Sequence, residues 1–247
     1  MNRRLINAEF LKLRRRRGLL AWSLLLTVGA VLVQYVTLVI LHANDPARYG
    51  PAGGVDNLST TVGVLIGAAA GAGDLEAGLF RELVVTGRSR LGLFAARVPG
   101  GLALLVPIVA AAWALGVAAS FAFAGGLATP GLAAILEGGG WLLLAAALGY
   151  LVSLGVASLS GSRAMTVGVM LAWLFPVTRI LLSIDHLRGW RRVVWDPALF
   201  RISPSSLVPA KAHPPVAISL GAAALALALW GLVPLAAGLW RTWTRDA

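Results

Sequence analysis

The chain has no cysteine, two lysines, three histidines and ten acidic residues among its 247 positions. Without cysteine there are no disulfides, thiolate nucleophiles, haem attachment motifs or Cys-containing zinc sites, and three scattered histidines leave little for another transition metal. Charged residues make up 13% and hydrophobic ones 58%, whereas a soluble domain carries about 25% charged residues. That balance excludes an ordinary soluble enzyme and a disordered basic tail. A phosphate-binding loop needs a Gly-Lys pair, but Lys12 follows Leu11 and Lys211 follows Ala210. No pair of carboxylates lies within an apolar run, which argues against a magnesium-dependent phosphotransferase and against a proton relay. Ser160 before Gly161 comes nearest to an intramembrane nucleophile, yet His42, His186 and His213 all fall toward the opposite ends of the runs. An enzyme acting alone is not expected, and neither a metal nor a cofactor is expected in this chain.

What the chain does have is six long apolar runs: Gly18 to about His42, Leu58 to Gly73, Val98 to Ala124, about Gly138 to Leu159, Ala164 to Ile184, and Pro215 to Trp240. A bilayer core of about 30 Å needs about 20 such residues per helix. None of the runs alternates as a barrel strand does, so each satisfies its backbone only as a helix. The first run is too long for the roughly 7–15-residue apolar stretch of a signal peptide and reads as a retained span. Six spans put both termini on one side. That side collects fourteen basic residues, among them Arg3, Arg4, Lys12 and Arg14 to Arg17, against seven on the other. The positive-inside rule then makes both termini cytoplasmic. The net charge of +11 serves this topology and contact with anionic lipid, because the basic stretch lacks the interleaved aromatics of a nucleic-acid surface.

Outside the spans, residues 1–17 place Ile6, Phe10 and Leu13 on one helix face, with Arg3, Asn7 and Arg14 turned away. This is the pattern of an interfacial helix, either a membrane anchor or a contact surface for a partner. Residues 18–247 form the six-helix domain. The segment 74–97 is longer than a connector needs to be. It opens with Asp74, Glu76 and Glu82, breaks at Gly87 and restarts at Ser89 as a helix N-cap, which predicts two short amphipathic helices projecting into the cytoplasm. In the second span Gly63, Gly67 and Gly71 line one face, suited to close helix packing, a subunit junction or a pathway. The outer loop 185–214 is long enough for a short helix at the membrane interface, where Trp190 and Trp195 would be favoured. Arg179 is expected to snorkel outward from the fifth span, and Pro107, Pro176 and Pro234 to bend their spans.

These residues resemble a known family. The leader AEFLKLRRRR and the pattern E-x-G-x-x-R-E-L-x-x-x-G-x-S-R, carried by Glu76, Gly78, Arg81, Glu82, Leu83, Gly87, Ser89 and Arg90, look like the permease subunits of bacterial ABC-2 type exporters. Leu79 stands where such permeases commonly have Thr, and Arg97 where they have Lys. The resemblance implies that a separate ATPase subunit docks on Glu76, Gly78, Arg81, Glu82, Gly87, Arg88, Ser89 and Arg90. It also implies that Glu9, Phe10, Lys12 and Leu13 form the contact or anchor of the N-terminal helix. ATP and Mg would be bound by that partner, and a second permease copy would complete the transporter, with the glycine face at the junction. Hydrophobic or amphipathic cargo such as an antibiotic, peptide, lipid or drug would leave across the bacterial cytoplasmic membrane. A substrate-capture subunit of an importer and a membrane-embedded enzyme are the alternatives.

Overall fold

The computed structural model describes residues 3–40, 55–85, 87, 89–124, 129–204 and 216–244. All regular structure among them is helical. Six helices are long and apolar enough to cross a bilayer: Arg17–Thr37, Leu58–Glu76, Arg90–Ala122, Leu132–Ser160, Arg163–Ser183 and Leu220–Thr244, referred to below as spans 1 to 6. The chain is a multi-pass α-helical membrane protein.

A short helix α1 (Arg3–Arg14) precedes span 1, which consists of α2 (Arg17–Leu24), a π-helical turn Leu25–Gly29 and α3 (Ala30–Ile40). Span 2 lies in α4 (Val55–Glu76), followed by the short α5 (Leu79–Val85). Spans 3 and 4 are α6 (Arg90–Ala122) and α7 (Leu132–Ser160). Span 5 comprises α8 (Arg163–Ala172), a second π-helical turn Trp173–Val177 and α9 (Thr178–Ser183). After a 3-10 segment Asp185–Val193 come α10 (Trp195–Ile202) and span 6, α11 (Leu220–Thr244). The second π turn contains Pro176, which has no N–H to continue the ladder, and Thr178 Oγ1 donates to the Trp173 carbonyl at 2.6 Å. Pro107 and Pro234 lie inside α6 and α11 without ending them.

Two boundary expectations change. Segment 74–97 does not form two free short helices: α5 is one, but the second is the start of α6 itself, a single 33-residue helix. At 1.5 Å per residue it is about 50 Å long and exceeds the hydrocarbon core. The reason is local. Ser89 caps it, its hydroxyl accepting from Gly92 N at 3.1 Å, and Leu93, Phe94, Ala96 and Arg97 already lie on the buried face that Gly100 and Leu104 continue. Span 4 likewise starts earlier, at Leu132. The expected ends of the first and sixth runs at His42 and Pro215 lie outside the described residues.

Span 2 is the centre of the bundle, 83% buried against 22%, 17% and 17% for spans 1, 5 and 6. Its glycines explain this. A Cβ on Gly71 would fall 2.6 Å from the Leu154 carbonyl oxygen, and one on Gly63 or Gly67 would overlap the Ala146 or Tyr150 carbonyl. Ser153 Oγ adds a hydrogen bond to the Val64 carbonyl at 2.8 Å. The glycine face thus packs against span 4 of the same chain, which is the close helix packing expected of it and not a junction between two subunits.

At the end opposite α1, the 185–214 segment does hold a short helix, α10, and is described as far as Pro204; residues 205–214 lie outside the described part. Trp190 is exposed, but Trp195 is fully buried. Rather than sitting at the membrane interface, the Trp195 ring packs among Val64, Leu148 and Met170 and against Trp230, centroids 5.4 Å apart. Trp141 Nε1 donates to the Leu199 carbonyl and Trp230 Nε1 to the Val193 carbonyl, so α10 is fastened into the bundle. Arg179 is exposed.

Gly67→Leu is expected to force spans 2 and 4 apart and to destabilise the protein by about 3 kcal/mol or more. Gly168→Leu, at an exposed position where an added Cβ meets nothing within 4 Å, is the control. Thermal melting of both variants in detergent checks this, with only Gly67→Leu expected to melt early.

Candidate functional site

The polar residues gather where α1 meets the ends of the spans. Asp74, in the last turn of α4, is 3% exposed, and Arg97 of α6 is 1% exposed. Arg97 Nη2 donates to Asp74 Oδ2 at 3.0 Å and Arg97 Nη1 to the Gly71 carbonyl at 3.2 Å. Lys12 of α1 donates to Asp74 Oδ1 and Oδ2 at 2.9 and 3.0 Å. The same ammonium lies against Glu9 Oε2 as an ion pair, out of hydrogen-bond alignment. Tyr150 of span 4 donates to the Arg97 carbonyl at 2.6 Å. Two carboxylates and two cations therefore form a neutral, largely dehydrated cluster joining α1 to spans 2, 3 and 4. Neutrality is required because an unpaired charge in this interior costs several kcal/mol.

Helix α1 reaches the cluster because its apolar face is used inside the protein. Leu13 is fully buried and Phe10 packs on the core, while Gly100 lets α1 approach α6 so closely that a Cβ there would sit 2.7 Å from the Glu9 Cβ. Of the face formed by Ile6, Phe10 and Leu13, Leu13 and Phe10 are thus spent on the protein's own core, and Ile6 is half-buried. The Arg16 guanidinium lies over Gly73, a cation at the C-terminal end of a helix, where the macrodipole favours it.

The residues expected to receive a partner are brought to this same end. Gly78 and Gly87 have φ of +68° and +81°, the left-handed region that glycine enters without strain, and they bracket α5. Glu76 is exposed, yet its Oε1 accepts the Arg163 N–H at 2.5 Å and caps the start of span 5. Arg90 Nη1 donates to the Trp243 carbonyl at 3.1 Å, at the end of span 6. Glu82 is exposed. Arg81 belongs to α5, and Arg88 lies outside the described residues. Glu76 and Arg90 therefore also make hydrogen bonds within the chain. Alongside Glu82, α5 and its flanks expose large apolar groups: Leu79, Val85 and Leu91 are 45%, 76% and 47% exposed.

No family model and no curated protein matches the chain.

Asp74 and Arg97 were not among the expected site residues, although the sequence carries a signal for both. Asp74 follows Gly63, Gly67 and Gly71 in helical phase, and Arg97 precedes Gly100, Gly101 and Leu104 on one face. A charge in phase with a buried face needs a partner on another helix. Asp74→Ala, which strands Arg97, is expected to destabilise by about 3–5 kcal/mol. The double variant Asp74→Leu/Arg97→Met is expected to recover most of that loss, as a double-mutant cycle of unfolding midpoints would show.

Proposed function

We propose that this chain is the permease subunit of an ATP-driven exporter of the ABC-2 type, in the bacterial cytoplasmic membrane with both termini and segment 74–97 in the cytoplasm. The observation that carries the reading is the polar bracing of one end of the bundle. Helix α1 and segment 74–97 are tied to spans 2, 3, 5 and 6 through Lys12–Asp74, Arg97–Asp74, Glu76–Arg163 and Arg90–Trp243. A push on that end is delivered to the spans rather than absorbed by a slack loop.

On this reading a separate ATPase subunit binds and hydrolyses ATP with Mg, and this chain contributes no catalytic group. The partner rests on Leu79, Val85 and Leu91, apolar groups that face water in the cytoplasm and are suited to the centre of a protein interface. Closure of two ATPase subunits moves α5 and α1. The buried Asp74–Arg97 pair passes that movement to spans 2 and 3, switching access from inside to outside for a hydrophobic or amphipathic cargo. A second permease copy completes the pathway.

Gentle purification of the tagged protein from its native membrane is expected to bring down an ABC ATPase at about one copy per permease. Leu79→Glu/Val85→Glu should weaken that association by about tenfold or more, the equivalent of about 1.4 kcal/mol, with the permease melting temperature unchanged. Repeated purification without an ATPase, or undiminished association of the double variant, would overturn the reading.

A further inference from the structure

We propose that the corner between α1 and span 1 binds the phosphate of an anionic bilayer phospholipid, with an acyl chain of that lipid lying along the exposed face of α2. Four consecutive arginines, Arg14 to Arg17, pass through this corner. Helix α1 ends where Arg16 leaves the helical region, at φ −78° and ψ 85°, and the turn divides the four. Arg16 points inward, over Gly73, whereas Arg14, Arg15 and Arg17 are exposed. Glu9 and Asp74, the acidic groups beside Lys12 of α1, are already neutralised by Lys12 and Arg97. No carboxylate among the described residues pairs with Arg14, Arg15 or Arg17. Three cations within four positions, without an internal counter-charge, attract an anion from outside the chain.

What lies next to the cations identifies the anion as a lipid. Arg17, Gly18, Ala21, Trp22 and Leu25 are exposed together at the start of span 1. Residues four apart stack on one helix face, so Ala21 and Leu25 follow Arg17, and Trp22 follows Gly18. Trp22 is 61% exposed and Leu25 58%, and a Cβ on Gly18 would meet nothing within 4 Å, which leaves open space beside Arg17. From Arg17 to Leu25 is eight helical steps, about 12 Å, most of the depth of one leaflet in a core about 30 Å thick. Guanidinium groups pair with phosphate oxygens, and Trp is favoured at the boundary between headgroup and hydrocarbon. Cation, indole and aliphatic side chain thus follow one another in the order of phosphate, ester and acyl chain. An acidic protein surface would have to enter the hydrocarbon to cover Trp22 and Leu25. A zwitterionic lipid brings its own ammonium, so the occupant carries a net negative headgroup. The anionic-lipid contact expected of the basic stretch as a whole is thereby confined to three side chains and one face of span 1. This site needs only the membrane placement of span 1 and does not depend on the exporter reading.

The full-length protein in mild detergent would be titrated with phosphatidylglycerol and, separately, phosphatidylcholine, and the bound lipids counted by native mass spectrometry. An attraction of about fivefold per arginine predicts that phosphatidylglycerol binds about tenfold or more tightly than phosphatidylcholine. Arg14→Gln/Arg15→Gln/Arg17→Gln should abolish that preference. Arg179→Gln/Arg192→Gln/Arg241→Gln, which removes the same charge from exposed positions elsewhere, should preserve it. Arg17→Gln alone, a single surface change that leaves the fold intact, should weaken phosphatidylglycerol binding by about fivefold and decides the matter if the triple variant does not fold. Equal binding of the two lipids, equal loss in both triple variants, or displacement of bound phosphatidylglycerol by millimolar inorganic phosphate would overturn the proposal. So would a corner variant that keeps its lipid but loses a co-purifying ATPase, because the arginines would then serve a protein.

Discussion

The bundle depends on the backbone of span 2 touching the backbone of span 4. In hydrocarbon solvent there is no hydrophobic drive to bring helices together, so close packing and hydrogen bonds must supply it. Gly63, Gly67 and Gly71 remove the side chains from one face of span 2, and the carbonyls of Ala146, Tyr150 and Leu154 occupy the space. Span 4 repeats the device toward span 6, where Gly155 lies against the Pro234 carbonyl and a Cβ on Gly238 would fall 2.8 Å from the Gly155 carbonyl oxygen. Span 4 is held by small residues from both directions. Spans 1, 5 and 6 are left with large lipid-facing surfaces.

The two ends of this framework are finished differently. At the α1 end, the charges of Glu9, Lys12, Asp74 and Arg97 neutralise one another, and helix termini are capped by Glu76, Ser89, Ser162 and Arg90. At the other end the fastening is aromatic: Trp173 and Trp195 both pack on Trp230, and indole N–H groups reach backbone carbonyls of the 185–204 segment. Ion pairing demands a defined register, because an offset of one residue strands a charge. Aromatic stacking tolerates sliding. The end that carries the proposed ATPase contact is thus the one with fixed registration.

The two π-helical turns, Leu25–Gly29 and Trp173–Val177, fall near the middle of spans 1 and 5, which are among the least buried spans. A π turn survives where side chains take over part of the hydrogen bonding, as Thr178 does for the Trp173 carbonyl. In span 1, Thr27 Oγ1 donates to the Ser23 carbonyl at 2.8 Å, with both residues fully buried. The hydroxyls of Thr27 and Thr178 are therefore committed to local backbone repair.

Composition and run length determined that this is a six-span helical membrane protein, because about 20 uncharged apolar residues have no other stable state in lipid. Glycine spacing marked the packing face of span 2, the amphipathic pattern of residues 6–13 marked a helix, and Ser89 marked the start of another. Each of these is a local rule, readable without knowing the neighbours. Which helix met each face was decided only in three dimensions. The glycine face found span 4, Phe10 and Leu13 of α1 found the core, Trp195 found the core as well, and Asp74 found Arg97 and Lys12. Periodicity tells which side of a helix is buried, but the identity of the partner depends on long-range packing and charge neutralisation among segments far apart in the chain.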